Sequence, residues 1–423
     1  MNIVLRQARI LDPASPYHNQ QTDIFIEAGI ITAIGESSST SFDKEINANG
    51  LCISPGWIDV FSHFCDPGFE YKETLESGSA AAAAGGFTDV FVLPNTNPVV
   101  HNKAAVEYIV QRSNTLPVSV HPIGAITKGC EGKELAEMYD MYDSGARAFS
   151  DGLKGVQNAG LLVKALQYLK AIDVTIIQIP DDKSLNPNGL MHEGIVSTTL
   201  GLPGKPALAE ELMVSRDIEL ARYTDAKIHI TGVTTSKSIE LIRKGKSEGV
   251  AVTCSVTPYH LVFCDGDLKN YDTNLKVAPP LRTAEDRAAL QQAVLDGTVD
   301  CIASHHLPQN KDEKLVEFEY ASNGMIGLQT SFAVVCNTLP ALTPERLVAL
   351  FSTNARRIFG LRSASINLGQ PATLSLFDTG QKWTFTNAMN LSKSSNSPFT
   401  GSEHKGRPIG IIHKDRVILN EEL

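Results

Sequence analysis

A chain of 423 residues exceeds the roughly 100 to 200 residues of a usual single domain, but it suits one barrel of about 250 residues with a smaller appended domain. Lys and Arg total 37 against 47 Asp and Glu, a formal charge of −10. With no block of like charge, that balance argues against a nucleic-acid or anionic-membrane surface and for a small-molecule or protein partner. No stretch approaches the roughly 18 apolar residues a bilayer requires, and the start Met1-Asn2-Ile3-Val4-Leu5-Arg6 lacks a signal-peptide pattern, so a cytoplasmic protein is expected. The cysteines (Cys52, Cys65, Cys130, Cys254, Cys264, Cys301, Cys336) are scattered and form no C-x-x-C pair. They predict small buried hydrophobes and neither a disulfide framework nor a thiolate zinc knuckle.

In chain order, the first residues read as short strands: Ile3-Val4-Leu5, Arg9-Ile10-Leu11, Asp23–Glu27 and, after a Gly29 turn, Ile30–Ile34. They are too few to bury a core alone. The other chain end supplies partners in Ala372–Phe377, Gly410–His413 and Arg416–Leu419, so residues 1–54 and 367–423 together are expected to form one composite β-sandwich domain. Between them, over residues 55–366, strand and helix alternate. The strands expected are Ile58–Phe64, Asp89–Leu93, Val118–Ile123, Ala146–Phe149, Val174–Ile179, Lys227–Ile230, Val250–Val256 and Asp300–Ala303. Eight such strands close a (β/α)8 TIM barrel in an α/β protein. A G-x-G-x-x-G turn after the first strand is absent, which disfavours a doubly wound dinucleotide-binding sheet. Thr283-Ala284-Glu285-Asp286 reads as a helix start, Leu290, Ala293 and Val294 as its apolar face, and Gly297 as its end.

The first barrel strand lies in Pro55-Gly56-Trp57-Ile58-Asp59-Val60-Phe61-Ser62-His63-Phe64-Cys65-Asp66-Pro67-Gly68. Alternation places Phe61, His63 and Cys65 on one side at its carboxyl end, where barrels keep their chemistry. This run resembles the P-G-[LF]-I-D-x-H-x-H-x-R-[DE]-P-G pattern of the dihydroorotases, amidohydrolases of the multifunctional-complex type. The resemblance extends through Lys72–Gly78, Gly85–Thr88, Leu93–Pro98, Gly201–Gly204, Pro279–Arg282 and Asn396–Gly401. It implies two zinc ions, which lower the pKa of a water and polarise a cyclic-amide carbonyl.

Carried over position by position, the family's site is largely replaced. The metal histidines become Phe61 and His63 on the first strand, Gln178 on the fifth and Gly232 on the sixth. Asp151 keeps one carboxylate of the fourth-strand pair, the second being Gly152, and the eighth-strand aspartate, ligand and base, is His305. Among substrate-holding positions Asn95 is retained, whereas the arginine is Cys65, the asparagine before Pro279 is Ala278 and a histidine is Gln309. A thiol cannot replace a guanidinium fork. His63, Asp151 and His305 remain as a possible three-ligand site, with His305 in the catalytic position, so zinc is expected as none or one ion. Strand alternation keeps His305 and neighbouring His306 from entering one site unless the chain turns there, and His229 is expected to pack between barrel and helix. The resemblance thus implies a noncatalytic dihydroorotase-like protein of pyrimidine biosynthesis, a homo-oligomer and structural partner of aspartate transcarbamoylase. The alternative is an active cyclic amidohydrolase with a mononuclear zinc site.

Overall fold

The computed structural model describes residues 1–36 and 41–420. The two first expected strands are one, β1 (Asn2–Ile10), interrupted at Gln7, whose φ of 55° breaks the pairing with β2 (Gln21–Glu27). Such a bulge bends a strand without ending it, which is why apolar alternation reads it as two pieces. β3 (Ile30–Ile34) pairs with β2 as expected, and β4 (Lys44–Asn47) and β5 (Cys52–Pro55) run parallel to β1. β4 escapes detection by pattern because three of its four residues are exposed.

All eight expected barrel strands form: β6 (Trp57–Ser62), β7 (Phe87–Val92), β8 (Ser119–Gly124), β9 (Ala148–Phe149), β10 (Thr175–Gln178), then, beyond a separate short pair β11 (Met191–His192) and β12 (Gly204–Lys205), β13 (Ile228–Thr231), β14 (Val252–Val256) and β15 (Cys301–Ile302). Neighbours pair in parallel from β6 through β15. At the seam between β6 and β15, the His63 N–H donates to the His306 carbonyl at 2.8 Å, and the buried Asp59 carboxylate accepts the Ser304 N–H at 2.6 Å. Alternate residues serve two cores. Ile58, Val60, Phe91, Ile123 and Ile177 fill the barrel interior with Phe359, while Trp57, Phe87, Val90, Ile228 and Ile230 face outward, toward the helices. The helix Ala284–Asp296 starts on Thr283, whose Oγ1 accepts the Asp286 N–H, ends at Gly297 with φ 89°, and buries Leu290, Ala293 and Val294, as its signals predict.

The chain returns through β16 (Leu374–Thr384), β17 (Glu403–His413) and β18 (Arg416–Leu419). The β5–β16 pairing joins both chain ends in one hydrogen-bonded, eight-stranded sheet. Its inward residues, among them Ile3, Leu5, Ile24, Ile53, Leu374 and Ile412, pool into a single core. No helix among the described residues is long and apolar enough to cross a membrane.

Barrel and helix ring are tied at Arg356, whose guanidinium donates to the Gly56 carbonyl at 3.0 Å and to Asp89 at 2.8 Å, while His121 meets the other Asp89 oxygen at 2.9 Å. Burial alone would raise the Asp89 pKa, but the hydrogen bond with His121 and the Arg356 charge outweigh it and hold the carboxyl well below its ordinary range. A depressed carboxylate pKa contributes stability that is present above the unfolded value of about 4 and is lost as pH falls below it. Arg356→Met removes the permanent cation and leaves the buried carboxylate to His121 and Thr88. It is expected to cost about 3–5 kcal/mol in denaturant unfolding near pH 7, and a loss under about 1 kcal/mol would show that the pair is not a structural anchor.

Candidate functional site at the barrel mouth

The carboxyl end of β6 bulges, its register against β7 shifting between Asp59 and Ser62. Phe61 thereby turns its ring onto His305, centroids 4.6 Å apart. Burial, reinforced by the nearby His260 and His229, pushes the His305 pKa down to about 3, so the ring is neutral at pH 7. His305 Nε2 lies 2.8 Å from Thr231 Oγ1, Thr231 lies 2.8 Å from Ser255 Oγ, and Ser255 lies 3.0 Å from His229 Nε2. His229 therefore points into the barrel and not toward the helices as expected. Ile228 and Ile230 take the outward positions of β13, and alternation sends the residue between them inward. Its pKa also falls to about 3 through burial.

Gly232 is sterically matched to His305. At its φ of 69° a Cβ would sit 2.7 Å from His305 Cε1, closer than carbon atoms pack. A side chain at position 232 and the His305 ring would compete for the same space.

The other sequence-predicted ligands are equally engaged. His63 Nδ1 accepts the Cys65 N–H at 2.9 Å, so Nε2 carries the proton that it donates to the Asn95 carbonyl at 3.1 Å. Burial lowers its pKa to about 4. The ring is held as a neutral tautomer with no lone pair left for a metal. Asp151 accepts from Thr127, by the backbone N–H at 2.8 Å on Oδ1 and the hydroxyl at 2.5 Å on Oδ2. Burial raises the Asp151 pKa, partly opposed by those two bonds. Gln178 is buried with its Oε1 accepting the Val156 N–H at 3.2 Å. Among the described residues no group of three or more His, Cys, Asp or Glu converges on a point where a metal ion could be held. The expected His63, Asp151 and His305 set is thus not assembled, because each member is already hydrogen-bonded within the fold. These donors do not fit a zinc centre, and His305 has neither a carboxylate partner nor a raised pKa with which to act as base.

Substrate-holding positions tell a similar story. Asn95 donates to the Asp151 carbonyl at 3.0 Å and accepts the Leu153 N–H at 2.9 Å, and a Cβ on Gly152, at φ 62°, would coincide with its Oδ1. Asn95 thus fills the space that any side chain at position 152 would need. Cys65 is buried at φ 59°, and burial pushes its thiol well above the ordinary range, so it stays protonated. Ala278 presents a methyl group beside Phe61 and His305, where only about 10 Å3 of space remains, room for about one water. A larger cavity of about 180 Å3 survives next to His63, Cys65, Asn95 and Gln309.

Lys72, a site residue that pattern reading missed, lines that cavity. Its Nζ donates to Gln309 Oε1 at 2.8 Å and pairs with Glu313 at 2.7 Å. It arrives from the loop before the helix Leu75–Ala84, where no periodicity marks it. The adjacent Glu73 is fully buried, accepts from Ser77, Ser392 and the Lys393 N–H, and holds His306 Nε2 at 3.2 Å. His305 and His306 lie beyond the end of β15, with His305 at φ 45°, and both line the same small pocket beside Phe61, so strand alternation does not separate them.

An eight-stranded parallel barrel with these polar side chains at its strand ends defines the class as an amidohydrolase-type barrel. It superposes on the L-hydantoinase (dihydropyrimidinase) of Arthrobacter aurescens with TM-score 0.86 at 23% identity, covering 99% of this chain and 96% of that one. A D-hydantoinase matches with TM-score 0.84 at 21% identity, covering 100% and 96%. Residues 50–238 match the family model described as Dihydro-orotase-like. A dihydroorotase of Pelotomaculum thermopropionicum is 41% identical over 426 residues, covering 100% of both chains, and one of Geobacter sp. (strain M21) is 39% identical over 422 residues, covering 99% of both. The chain belongs to the dihydroorotase family.

The steric match makes a pairwise prediction. Gly232→His alone is expected to destabilise by about 1–3 kcal/mol, and His305→Asp in the same chain to recover part of that loss. Strictly additive effects in a double-mutant cycle would contradict the shared space.

Proposed function

We propose that this dihydroorotase-family protein serves pyrimidine biosynthesis without hydrolysing a cyclic amide, as a homo-oligomer that acts as a structural partner of aspartate transcarbamoylase. The observation carrying the noncatalytic half is that both His63 nitrogens are engaged by Asn95 and Cys65, both Asp151 oxygens by Thr127 and the His305 Nε2 by Thr231, while Phe61, Gln178 and Gly232 offer no ligand of the family's kind. Loss of a general base alone commonly costs about 10²–10⁴ in rate. Replacing the carboxylate-binding arginine by a neutral, buried thiol removes a charge-assisted bond worth about 1.5–3 kcal/mol. The partner half rests on the resemblance and on the contrast between a complete scaffold and a replaced mouth.

A second reading has its own support, and the names of the full-length relatives favour it over the first. These are called dihydroorotase at 39–41% identity. On that reading the chain is a cyclic amidohydrolase with one zinc, and the His63 ring must release the Cys65 N–H to free Nδ1.

Three measurements separate the readings. Elemental analysis of protein purified without chelator is expected to find no stoichiometric zinc, and one tightly held ion per chain would favour the hydrolase. Incubation with dihydroorotate and added zinc is expected to give no turnover, whereas a rate near about 1 s⁻¹, the low end of ordinary enzymes, would overturn the proposal. Co-expression with the same organism's aspartate transcarbamoylase is expected to yield a co-eluting complex, and separate elution at micromolar concentration would remove the scaffold reading.

A further inference from the structure

Beyond the barrel mouth, the segment after β15 gathers two buried ammonium groups on backbone carbonyls, with no ion pair among the described residues; Glu319 acts on Lys276 only from further off. Lys314 is 5% exposed and Lys276 is 4% exposed. Lys314 Nζ donates to the carbonyls of Thr273 at 2.7 Å and Ser322 at 2.8 Å, and Lys276 Nζ to those of Phe318 and Glu319 at 2.6 and 2.9 Å. Among the described residues neither is within ion-pair distance of a carboxylate. Asp272 and Glu313 act on Lys314 from further off, and Glu313 is already paired with Lys72. A buried charge normally carries a partner, because desolvation without one is costly.

A cavity of about 200 Å3 opens beside Lys314, lined also by Lys311, Asn274, Asn310 and Ser395. Lys311 stands one helical turn from Lys314 and is exposed. Among the described residues the side chains of Lys311, Asn274 and Ser395 make no hydrogen bond, so they can donate to a guest. Two carbonyl bonds leave one Lys314 ammonium hydrogen over.

We propose that this cavity binds a small oxyanion, a phosphate or carboxylate group, which supplies the counter-charge that Lys314 lacks. Burial first, then the Lys276 charge, opposed by Asp272 and Glu313, lowers the Lys314 pKa to about 7. A lysine with a lowered pKa holds its proton below that value and releases it above, so the anion binds more tightly at lower pH.

Isothermal titration of the full chain with succinate and, separately, inorganic phosphate at constant ionic strength tests this. Succinate is a dianion throughout the range from pH 6.5 to 8.5, so its affinity reports the lysine. It is expected to weaken about tenfold between those values. The tighter of the two probes identifies the guest as carboxylate or phosphate. Lys314→Met is expected to weaken binding at least about tenfold and Lys311→Gln about threefold, as loss of charge-assisted bonds implies, while Lys133→Gln, at an exposed ion pair elsewhere, leaves it unchanged. If Lys314→Met does not fold, Lys311→Gln and the pH series decide. No saturable binding of either anion up to about 10 mM, or binding unaffected by Lys311→Gln and by pH, would overturn the site.

Discussion

The packing of Phe61 against His305, with Gly232 beneath, is the constraint on which the barrel mouth depends. Two rings 4.6 Å apart fill the ends of the first and eighth strands with apolar and neutral surface, so the groups behind them are cut off from water. Desolvation then decides protonation. His63, His229 and His305 are all driven toward neutrality by burial before any neighbour acts, and a neutral imidazole hydrogen-bonded at both nitrogens, as His63 and His229 are, is a packing element. The file from His305 through Thr231 and Ser255 to His229 keeps the buried polar atoms satisfied, a requirement for leaving them in a core at all.

The residues at the barrel mouth are sterically coupled. A side chain at position 232 collides with His305, and one at position 152 collides with Asn95. Asn95 in turn bonds the loop carrying Asp151 and receives the proton of His63. A larger side chain at position 232 or 152 therefore requires its neighbour to move. The scaffold around the mouth is preserved by a different set of contacts, the seam at Asp59 and Ser304 and the Arg356–Asp89 anchor, and none of these passes through the altered positions.

Much of the fold is legible in the sequence because barrel strands are buried on both faces and flanked by strong breakers. The eight expected strands, the Thr283-capped helix and the joining of the chain ends follow from that. Features that depend on tertiary pairing are not legible. β4 is mostly exposed, and the bulge at Gln7 merges two expected strands into one. At the site, identities are readable position by position, but hydrogen-bond assignment is not. That His63 accepts the Cys65 N–H is visible only once the φ of Cys65 folds the backbone back toward the ring. Lys72 reaches the mouth from a loop.

Imidazole 15N spectra of the full chain, recorded from pH 8 to 5 with and without zinc, test the central claim that the mouth histidines are neutral, hydrogen-bonded packing groups. His63 is expected to show the Nε2–H tautomer throughout, His305 to remain neutral, and neither resonance to move on addition of zinc. Titration of either ring near the ordinary value of about 6.5, or a zinc-dependent shift at His63 Nδ1, would contradict the account.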